Sequence, residues 1–210
     1  LLNLKKIGCH AVKCQAYSAD MIQGHPLKER LIKSAITESN VQKINELSKK
    51  IGIEWFCTPM YPEAITFLDP FVKRYKIREF DGRDLLKNKI TPLLKAVLAT
   101  KKNIIISSQT KPPKLKKFDY IKWLYCVPKY PCSLSDLNFK DIKFFDGYSN
   151  HCLSIVAPIT AVVLDAEIIE VHITPDKKSK KYVDNNVSFD YKELKKITKS
   201  IREVEKITKY

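Results

Sequence analysis

The sequence has no stretch of about 18 uncharged apolar residues, so no transmembrane helix is expected. It has 5 glycines in 210 residues, and none forms a glycine-rich turn after a predicted strand. Such a turn marks a dinucleotide-binding open sheet, which is therefore disfavoured as the fold. No secretory signal peptide is visible at the start of the chain, which is Leu1 rather than Met.

Paired cysteine motifs are also missing. The six cysteines contain no C-x-x-C spacing, and most lie inside apolar segments. This pattern predicts reduced, buried thiols of a cytoplasmic protein rather than a disulfide framework or a zinc site. The six are Cys9, Cys14, Cys57, Cys126, Cys132 and Cys152.

Positive charge is abundant, with a formal net charge of +15. A basic surface attracts polyanions, and steeply salt-dependent binding would identify nucleic acid as a partner. However, the lysines are spread along the whole chain, and no basic stripe interleaved with aromatic residues emerges. We therefore expect no nucleic-acid partner, and a small phosphorylated or carboxylate substrate fits the charge equally well.

Seven predicted strands alternate with helices along most of the chain. This order predicts an α/β fold, a (β/α)₈ TIM barrel that lacks one strand, with an open doubly wound sheet as the alternative. The segment 110–119 contains two prolines and predicts a shortened or absent helix after the Asn103–Ser108 strand. Other predicted strands are 10–17, 53–60, 75–80 and 120–127, and predicted helices are 40–52, 62–72, 84–100 with a restart at Pro92, and 190–210.

The stretch 146–174 is the most informative part of the chain. It is interpreted as strand, helix and strand, with an apolar helix over 153–166. Such a crossover makes the strands parallel, and ligands gather at the carboxyl ends of parallel strands. His151 and His172 lie at those two ends and predict a divalent-metal site with open positions, unless they are ordinary rim or core histidines.

Two lysines occupy the polar faces of predicted strands. Lys13 and Lys76 favour a phosphate or carboxylate pocket, because lysine is rare in a strand interior without an anion. The alternative is that both side chains extend outward to solvent. Hydroxyl groups near strand ends are further donor candidates, and they include Thr58, Ser107, Ser108, Tyr130 and Ser149.

The ordered motifs resemble those of the sialic acid synthases, which comprise N-acetylneuraminate synthase and the related legionaminic, pseudaminic and 9-phosphate enzymes. The matching segments are AVKCQAY, IEWFCTP, YKI, IIISS, YCVPKYP, GYSNH and IIEVHIT, and the resemblance extends over most of the chain. It implies a cytoplasmic, homodimeric transferase that condenses phosphoenolpyruvate with an N-acetylated amino sugar of the N-acetylmannosamine type.

The resemblance also assigns roles to individual residues. His151 and His172 become ligands of Mn²⁺ or Mg²⁺, and Glu170 and Asp81 become acidic residues that handle protons or contact the sugar. The implied substrate-binding residues are Lys13, Gln15, Thr58, Lys76, Ser107, Tyr130, Ser149 and Asp184.

Several features depart from the family pattern. Over residues 1–210 the resemblance implies a single synthase-type barrel domain that lacks the family's first strand and its C-terminal antifreeze-like domain. Arg78, Glu79 and Pro128 stand where the family has a glycine, a serine and an asparagine. Glu79 adds negative charge near an anionic substrate, so either Arg78 compensates it or substrate binding is weakened. The alternative function is therefore a non-catalytic or degenerate barrel that retains sugar or anion binding.

Overall fold

The computed structural model describes residues 1–113 and 120–208, which form an α/β fold whose strands are all parallel to their partners in the recorded pairings. Two compact units are distinguished. Unit 1 comprises Leu1–Ile106 with Tyr120 and Ile121, and unit 2 comprises 107–113 and 122–208.

Unit 1 contains a parallel sheet of successive strands. β1 (Ala11–Ala16) pairs with β2 (Glu54–Pro59), which pairs with β3 (Arg74–Ile77), and β3 pairs with the first residues of β4 (Asn103–Ser108). Except for Asn103, the residues of β4 are buried. Such near-continuous apolar strands are typical of parallel sheets that are covered on both faces.

Helices connect these strands, as parallel pairing requires. Two of these helices have clear boundary signals in the sequence. The third helix ends just before Gly52, whose φ of 71° is left-handed, and the sixth begins with Pro92 after Thr91. The Thr91 side chain accepts a hydrogen bond from the Leu94 N–H, which caps that helix. The helices are α1 (Leu2–Ile7), α2 (Lys28–Ser34), α3 (Val41–Ile51), α4 (Ala64–Leu68), α5 (Glu79–Leu86) and α6 (Pro92–Ala99).

Unit 2 contains the strands β5 (Ile121–Cys126, from Lys122 onward), β6 (Gly147–Asn150) and β7 (Ile168–Val171). β6 pairs with both of its neighbours in parallel. The helix α7 (Val156–Val163) connects β6 to β7, and α8 (Tyr191–Thr208) follows. Three short 3₁₀ helices complete the unit at Leu134–Asp136, Phe139–Phe144 and Asn185–Val187.

Gly147 allows β6 and β7 to approach each other closely. A Cβ atom at this position would lie 2.0 Å from the carbonyl oxygen of Ile168. No side chain fits at that distance, so the glycine is required by the register that sets the two strand ends side by side.

The N-terminus of α8 has a reciprocal cap. The Glu193 N–H donates to the Asp190 carboxylate at 2.8 Å, and the Asp190 N–H donates to the Glu193 carboxylate at 2.9 Å. The first of these bonds holds the pKa of Asp190 below its usual value. This arrangement satisfies two backbone donors that a helix start would otherwise leave open.

The structure corrects the bounds of several predicted elements. The helices predicted over 62–72 and 153–166 are shorter, at Ala64–Leu68 and Val156–Val163. The predicted strand 75–80 ends at Ile77, and Glu79 begins α5, so the last part of that prediction is wrong. The predicted helix 84–100 is two helices, and its restart at Pro92 is confirmed. The carboxylates of Glu79 and Asp81 favour the start of α5 at this point, because acidic side chains stabilise the N-terminus of a helix.

Three predictions about the organisation of the chain are not tested by the structure. Residues 114–119 lie outside the described residues, and with them most of the segment predicted to have a shortened helix. The absence of a first barrel strand and the single-domain organisation stay predictions. None of the helices in the described ranges combines the length and the apolar character of a membrane span.

Candidate active site

His151 lies in unit 2, directly after β6, and is 4% exposed. Its Nδ1 is 2.8 Å from the carbonyl oxygen of Val127. A carbonyl only accepts, so in the neutral ring the proton sits on Nδ1 and the lone pair on Nε2. Metal-binding histidines are commonly oriented by this type of hydrogen bond to a backbone carbonyl.

His172 lies directly after β7, in the same unit. Its Nδ1 is 3.7 Å from a carboxylate oxygen of Asp184, which is an ion-pair distance rather than a hydrogen bond. The backbone is also anchored, because the Phe189 N–H donates to the His172 carbonyl at 2.9 Å. The predicted positions of both histidines at carboxyl strand ends are confirmed.

The two imidazoles face a common space. Their ring centroids are 5.3 Å apart, and the Tyr130 ring lies 3.9 Å from His151 and 5.8 Å from His172. Tyr130 is 50% exposed. Because its ring also contacts His151, it separates this buried histidine from solvent on one side. The structure brings these three predicted site residues together.

Glu170 and Ser149 form a second pair in unit 2. Their Cα atoms are partners in the β6–β7 register, and Ser149 Oγ donates to Glu170 Oε1 at 2.8 Å. Ser149 is buried, whereas Glu170 is half-buried. The carboxylate is therefore held in a fixed orientation two residues before His172.

Ser107 is a buried residue of unit 2 near the end of β4. Its neighbour Ser108 is also buried, and Ser108 Oγ donates to the Thr110 carbonyl at 2.7 Å. The hydroxyl of Ser108 therefore caps the chain as it leaves the strand.

Unit 1 carries a different set of predicted site residues. Lys13 is paired with Phe56 and Gln15 with Thr58 in the β1–β2 register, and paired residues of parallel strands share a face. The Gln15 side chain accepts a hydrogen bond from the Tyr17 hydroxyl at 2.8 Å. Lys13, Gln15 and Thr58 thus lie on one face of this sheet.

Lys76 belongs to the same face. Cys57 pairs with Tyr75 in the β2–β3 register, so their neighbours Thr58 and Lys76 both point to the other side. Lys76 is 3% exposed, and its Nζ donates to the Ile77 carbonyl at 3.0 Å. The alternative in which this lysine extends to solvent is therefore wrong, whereas Lys13 is half-buried.

Thr58 adds a buried donor to this face. Its hydroxyl oxygen has no hydrogen-bond partner among the described residues. A buried hydroxyl of this kind costs free energy unless a ligand or water completes it. The polar face of unit 1 (Lys13, Gln15, Thr58 and Lys76) thus has the donors that an anionic ligand needs.

Asp81 lies in the first turn of α5 rather than on a strand, and it is buried. It pairs with Arg78 at 2.5 Å, whereas Glu79 pairs with Arg83 at 3.0 Å. Arg83 thus supplies a compensating charge for Glu79, a role for which the sequence suggested Arg78. Sequence reasoning missed this pair, although the i,i+4 spacing on a helix is the signal that indicates it.

The cysteines are all free thiols, and four of the six are buried. Cys126 Sγ lies 3.8 Å from His151 Nδ1. Burial raises the pKa of the Cys132 thiol to about 11, so this thiol is protonated at neutral pH. The prediction that most of the cysteines are buried is confirmed.

The histidine pair is chemically suited to a divalent ion. Within the described part of the chain, no group of three or more His, Cys, Asp or Glu side chains forms a ready-made metal cage. Two imidazoles with Nδ1 directed at protein oxygens nevertheless fit a site that leaves several positions to substrate and water. The residues present are therefore compatible with the predicted Mn²⁺ or Mg²⁺.

Parallel strands whose carboxyl ends carry histidines, a carboxylate and hydroxyl donors are typical of α/β proteins that bind ligands at that edge of the sheet. The comparison with known families narrows this class. The model of the NeuB family matches residues 3–210, and the chain belongs to that family.

Two curated relatives illustrate the similarity. An uncharacterized protein of Methanocaldococcus jannaschii is 31% identical over 223 residues, which cover 97% of this chain and 64% of the relative. An N,N'-diacetyllegionaminic acid synthase of Legionella pneumophila is 28% identical over 235 residues, with 97% and 66% covered. The chain thus spans just under two thirds of the length of these relatives.

A solved structure extends the similarity to the fold. An N-acetylneuraminic acid (sialic acid) synthetase of Leptospira borgpetersenii, crystallised with citrate, matches with a TM-score of 0.84 at 25% identity. The match covers 100% of this chain and 78% of the synthetase. The predicted α/β class with parallel strands, shared with barrel-type synthases, is thereby confirmed.

Proposed function

We propose that the protein condenses phosphoenolpyruvate with an N-acetylated amino sugar of the N-acetylmannosamine type and gives a nonulosonic acid and phosphate. The observation that carries this proposal is the His151–His172 pair, whose ring centroids lie 5.3 Å apart after adjacent strands. Membership of the NeuB family and the likeness to a sialic acid synthetase support it.

The reaction forms a carbon–carbon bond and a carbon–oxygen bond, and it breaks the bond between C2 of phosphoenolpyruvate and its phosphate oxygen. C3 of phosphoenolpyruvate attacks the aldehyde carbon of the open-chain sugar, and the aldehyde oxygen takes up a proton. Water then adds to C2, and cleavage of the bond between C2 and the phosphate oxygen releases phosphate. A divalent ion held by His151 and His172 would supply Lewis-acid polarisation of the aldehyde oxygen.

Residues of unit 2 orient the sugar and move protons. Ser149 holds Glu170 through a 2.8 Å hydrogen bond, so the carboxylate is positioned to exchange a proton with the sugar oxygen. Asp184 positions the His172 ring, and Tyr130 shields the two imidazoles from bulk water. These contacts precede substrate binding, which limits the reorganisation needed for catalysis.

Residues of unit 1 bind phosphoenolpyruvate in this proposal. Lys13 and Lys76 supply positive charge for its carboxylate and phosphate, with Gln15 and Thr58 as neutral partners. Asp81, on α5 of unit 1, is assigned to proton handling, and Ser107, which belongs to unit 2, is assigned to substrate binding. The protein would work in the cytoplasm as a homodimer. Mass photometry of the full-length gene product tests the dimeric state.

The alternative of a non-catalytic barrel rests on Arg78, Glu79 and Pro128. The Glu79–Arg83 ion pair weakens it, because Glu79 no longer requires Arg78 for charge compensation. An inactive barrel would still bind the sugar or phosphoenolpyruvate, so binding without phosphate release would favour this alternative.

Phosphate release tests the proposed function directly. The full-length gene product is incubated with phosphoenolpyruvate, Mn²⁺ and each of several N-acetylated amino sugars. We expect phosphate and a nonulosonic acid in equal amounts, and none when the sugar is omitted. Absence of sugar-dependent phosphate release with every sugar would refute the catalytic proposal.

A further inference from the structure

The side chain of Asn150 lies on the face of β6 that is opposite to the reacting groups. Asn150 is the last residue of β6 and is 0% exposed. Successive side chains of a strand point to opposite faces, so Asn150 shares the face of Tyr148 and not that of Ser149. Ser149 donates to Glu170, and these two mark the reacting face in the proposed function. Asn150 therefore points away from the face at which a substrate would bind.

The amide of Asn150 bridges to the backbone on the other side of His151. Its Nδ2 donates to the Cys152 carbonyl at 2.7 Å, and its Oδ1 accepts from the Cys152 N–H at 3.3 Å. The same Oδ1 accepts from the Tyr148 hydroxyl at 2.9 Å. One side chain thus joins the two residues that flank His151 in the chain.

His151 is also held from the segment that follows β5. The Cys132 N–H donates to the His151 carbonyl at 3.1 Å, and the ring Nδ1 lies 2.8 Å from the Val127 carbonyl. The direction in which the ring leaves the chain depends on the backbone at 150–152. Because the Asn150 amide fixes this backbone, it sets the orientation in which the ring reaches Val127.

Packing alone does not explain an amide at this position. A buried amide costs free energy unless it is hydrogen-bonded. Its partner Tyr148 lies among aromatic rings, with centroid distances of 6.1 Å to Tyr125 and 5.1 Å to Phe139. An apolar side chain would suit such surroundings without that cost. The amide of Asn150 is instead accounted for by the bonds that it makes around His151.

We infer that Asn150 is a positioning residue for His151 and that the metal affinity of the site depends on its amide. The hydroxyl of Tyr148 contributes through the same amide and with a smaller effect. This inference rests on the proposed function, in which His151 and His172 hold the divalent ion.

Unit 1 contains a matched control for each of these two residues. The Asn40 amide also donates to one backbone carbonyl and accepts from one backbone N–H, each at 3.0 Å. Tyr75 is completely buried on a strand, as Tyr148 is, and its hydroxyl donates to Asp69 at 3.0 Å. Asn40→Ala and Tyr75→Phe therefore remove comparable bonds in the unit that does not contain the histidine pair.

The Mn²⁺ affinity of the full-length protein is measured by electron paramagnetic resonance for the wild type and these variants. We expect Asn150→Ala to weaken Mn²⁺ binding roughly tenfold or more, a loss typical of residues that orient a metal ligand. Tyr148→Phe should weaken it roughly threefold, the equivalent of one hydrogen bond. Asn40→Ala and Tyr75→Phe should lower the thermal unfolding midpoint and leave the Mn²⁺ affinity unchanged.

The paired variants separate positioning from a general loss of stability. Equal Mn²⁺ affinities of Asn150→Ala and Asn40→Ala would overturn the inference. If Asn150→Ala does not fold, the two tyrosine variants decide. Weaker Mn²⁺ binding by Tyr148→Phe than by Tyr75→Phe then supports the inference, and equal binding overturns it.

Failure of the proposed function is recognised separately. If the wild type binds no Mn²⁺, the metal proposal fails, and the metal-free His151 ring still tests the positioning role. Its imidazole nitrogen resonances are assigned by their loss in His151→Asn, and they should show a proton on Nδ1 in the wild type. They should shift in Asn150→Ala and not in Asn40→Ala. Unchanged His151 resonances in Asn150→Ala would contradict the inference.

Discussion

The two units handle their polar groups in different ways. In unit 2, Glu170 is bonded to Ser149, and His151 to the Val127 carbonyl, at 2.8 Å each. In unit 1, the Thr58 hydroxyl is buried without a hydrogen-bond partner among the described residues, on the face that also buries the ammonium of Lys76. In the proposed function, unit 2 therefore supplies reacting groups that are held in place by hydrogen bonds, and unit 1 supplies a polar face that an anionic ligand completes.

Loss of a histidine should have the largest effect on activity. Changing His172→Asn should lower kcat by more than about 100-fold, since removal of even an outer partner of a metal ligand costs 10–100-fold. The exposed His25 provides the control, and His25→Asn should retain wild-type turnover. Steady-state phosphate release measures both, and equal rates for the two variants would contradict the assignment of unit 2 as the reaction centre.

The buried lysine of unit 1 should contribute to substrate binding. Lys76→Met removes a buried ammonium and its hydrogen bond to the Ile77 carbonyl, and the loss of a hydrogen bond from a charged group should cost about 1.5–3 kcal/mol of stability. The KM for phosphoenolpyruvate should rise about tenfold or more as a charged contact is lost.

The matched control for this lysine is Lys73→Met, one residue before β3, because Lys73 is exposed. It should change neither the KM nor the thermal unfolding midpoint. If Lys76→Met unfolds the protein or leaves the KM unchanged, Lys76 is a structural residue and the pocket assignment for unit 1 is wrong.

Removing one hydroxyl group from each unit tests the difference between them, because the same chemical group is deleted in both. Ser149→Ala removes the donor to Glu170 and should destabilise the protein by about 1–3 kcal/mol. Thr58→Val removes a hydroxyl without a partner among the described residues and should leave stability unchanged or raise it slightly. Denaturant unfolding measures both changes, and the reverse order would contradict the division between a prearranged and a ligand-completed region.

The smallest effect concerns the cap of α8. Asp190→Ala should lower stability by about 1 kcal/mol, the usual cost of an N-cap loss. The pKa of Asp190 is lowered in the folded protein by the Glu193 N–H, with Lys177 and Lys192 adding to the shift. Its contribution is therefore complete above the unfolded pKa of about 3.9 and disappears as the pH falls through the folded value.

Unfolding of the wild type and of Asp190→Ala is compared across this range of pH. The difference between them should vanish in acid and be constant near neutrality. Asp20→Asn, a change at an exposed carboxylate, serves as the control. A difference that grows on acidification would contradict the role assigned to the cap.

The strands of the fold were predictable because their apolar runs are short and end sharply. NIIISS becomes β4, and the two strands around α7 end directly before His151 and His172, as predicted. The start of α5 was not predictable in the same way, because REF after Ile77 continues the alternation of a strand. Only the carboxylates that stabilise the helix start decide between the two.

The site was predictable in its residue types and less so in its contacts. The hydrogen bonds from His151 to the Val127 carbonyl and from Ser149 to the Glu170 carboxylate join residues 24 and 21 positions apart. No local pattern specifies such pairs, since the register between strands creates them.

Manganese binding tests the central proposal most directly. Electron paramagnetic resonance titrations of the full-length protein compare the wild type, the double variant His151→Asn and His172→Asn, and the His25→Asn control. The wild type and the control should each bind one Mn²⁺ per chain, and the double variant should lose this binding. Equal Mn²⁺ affinity in the double variant and the wild type would contradict the role of the histidine pair.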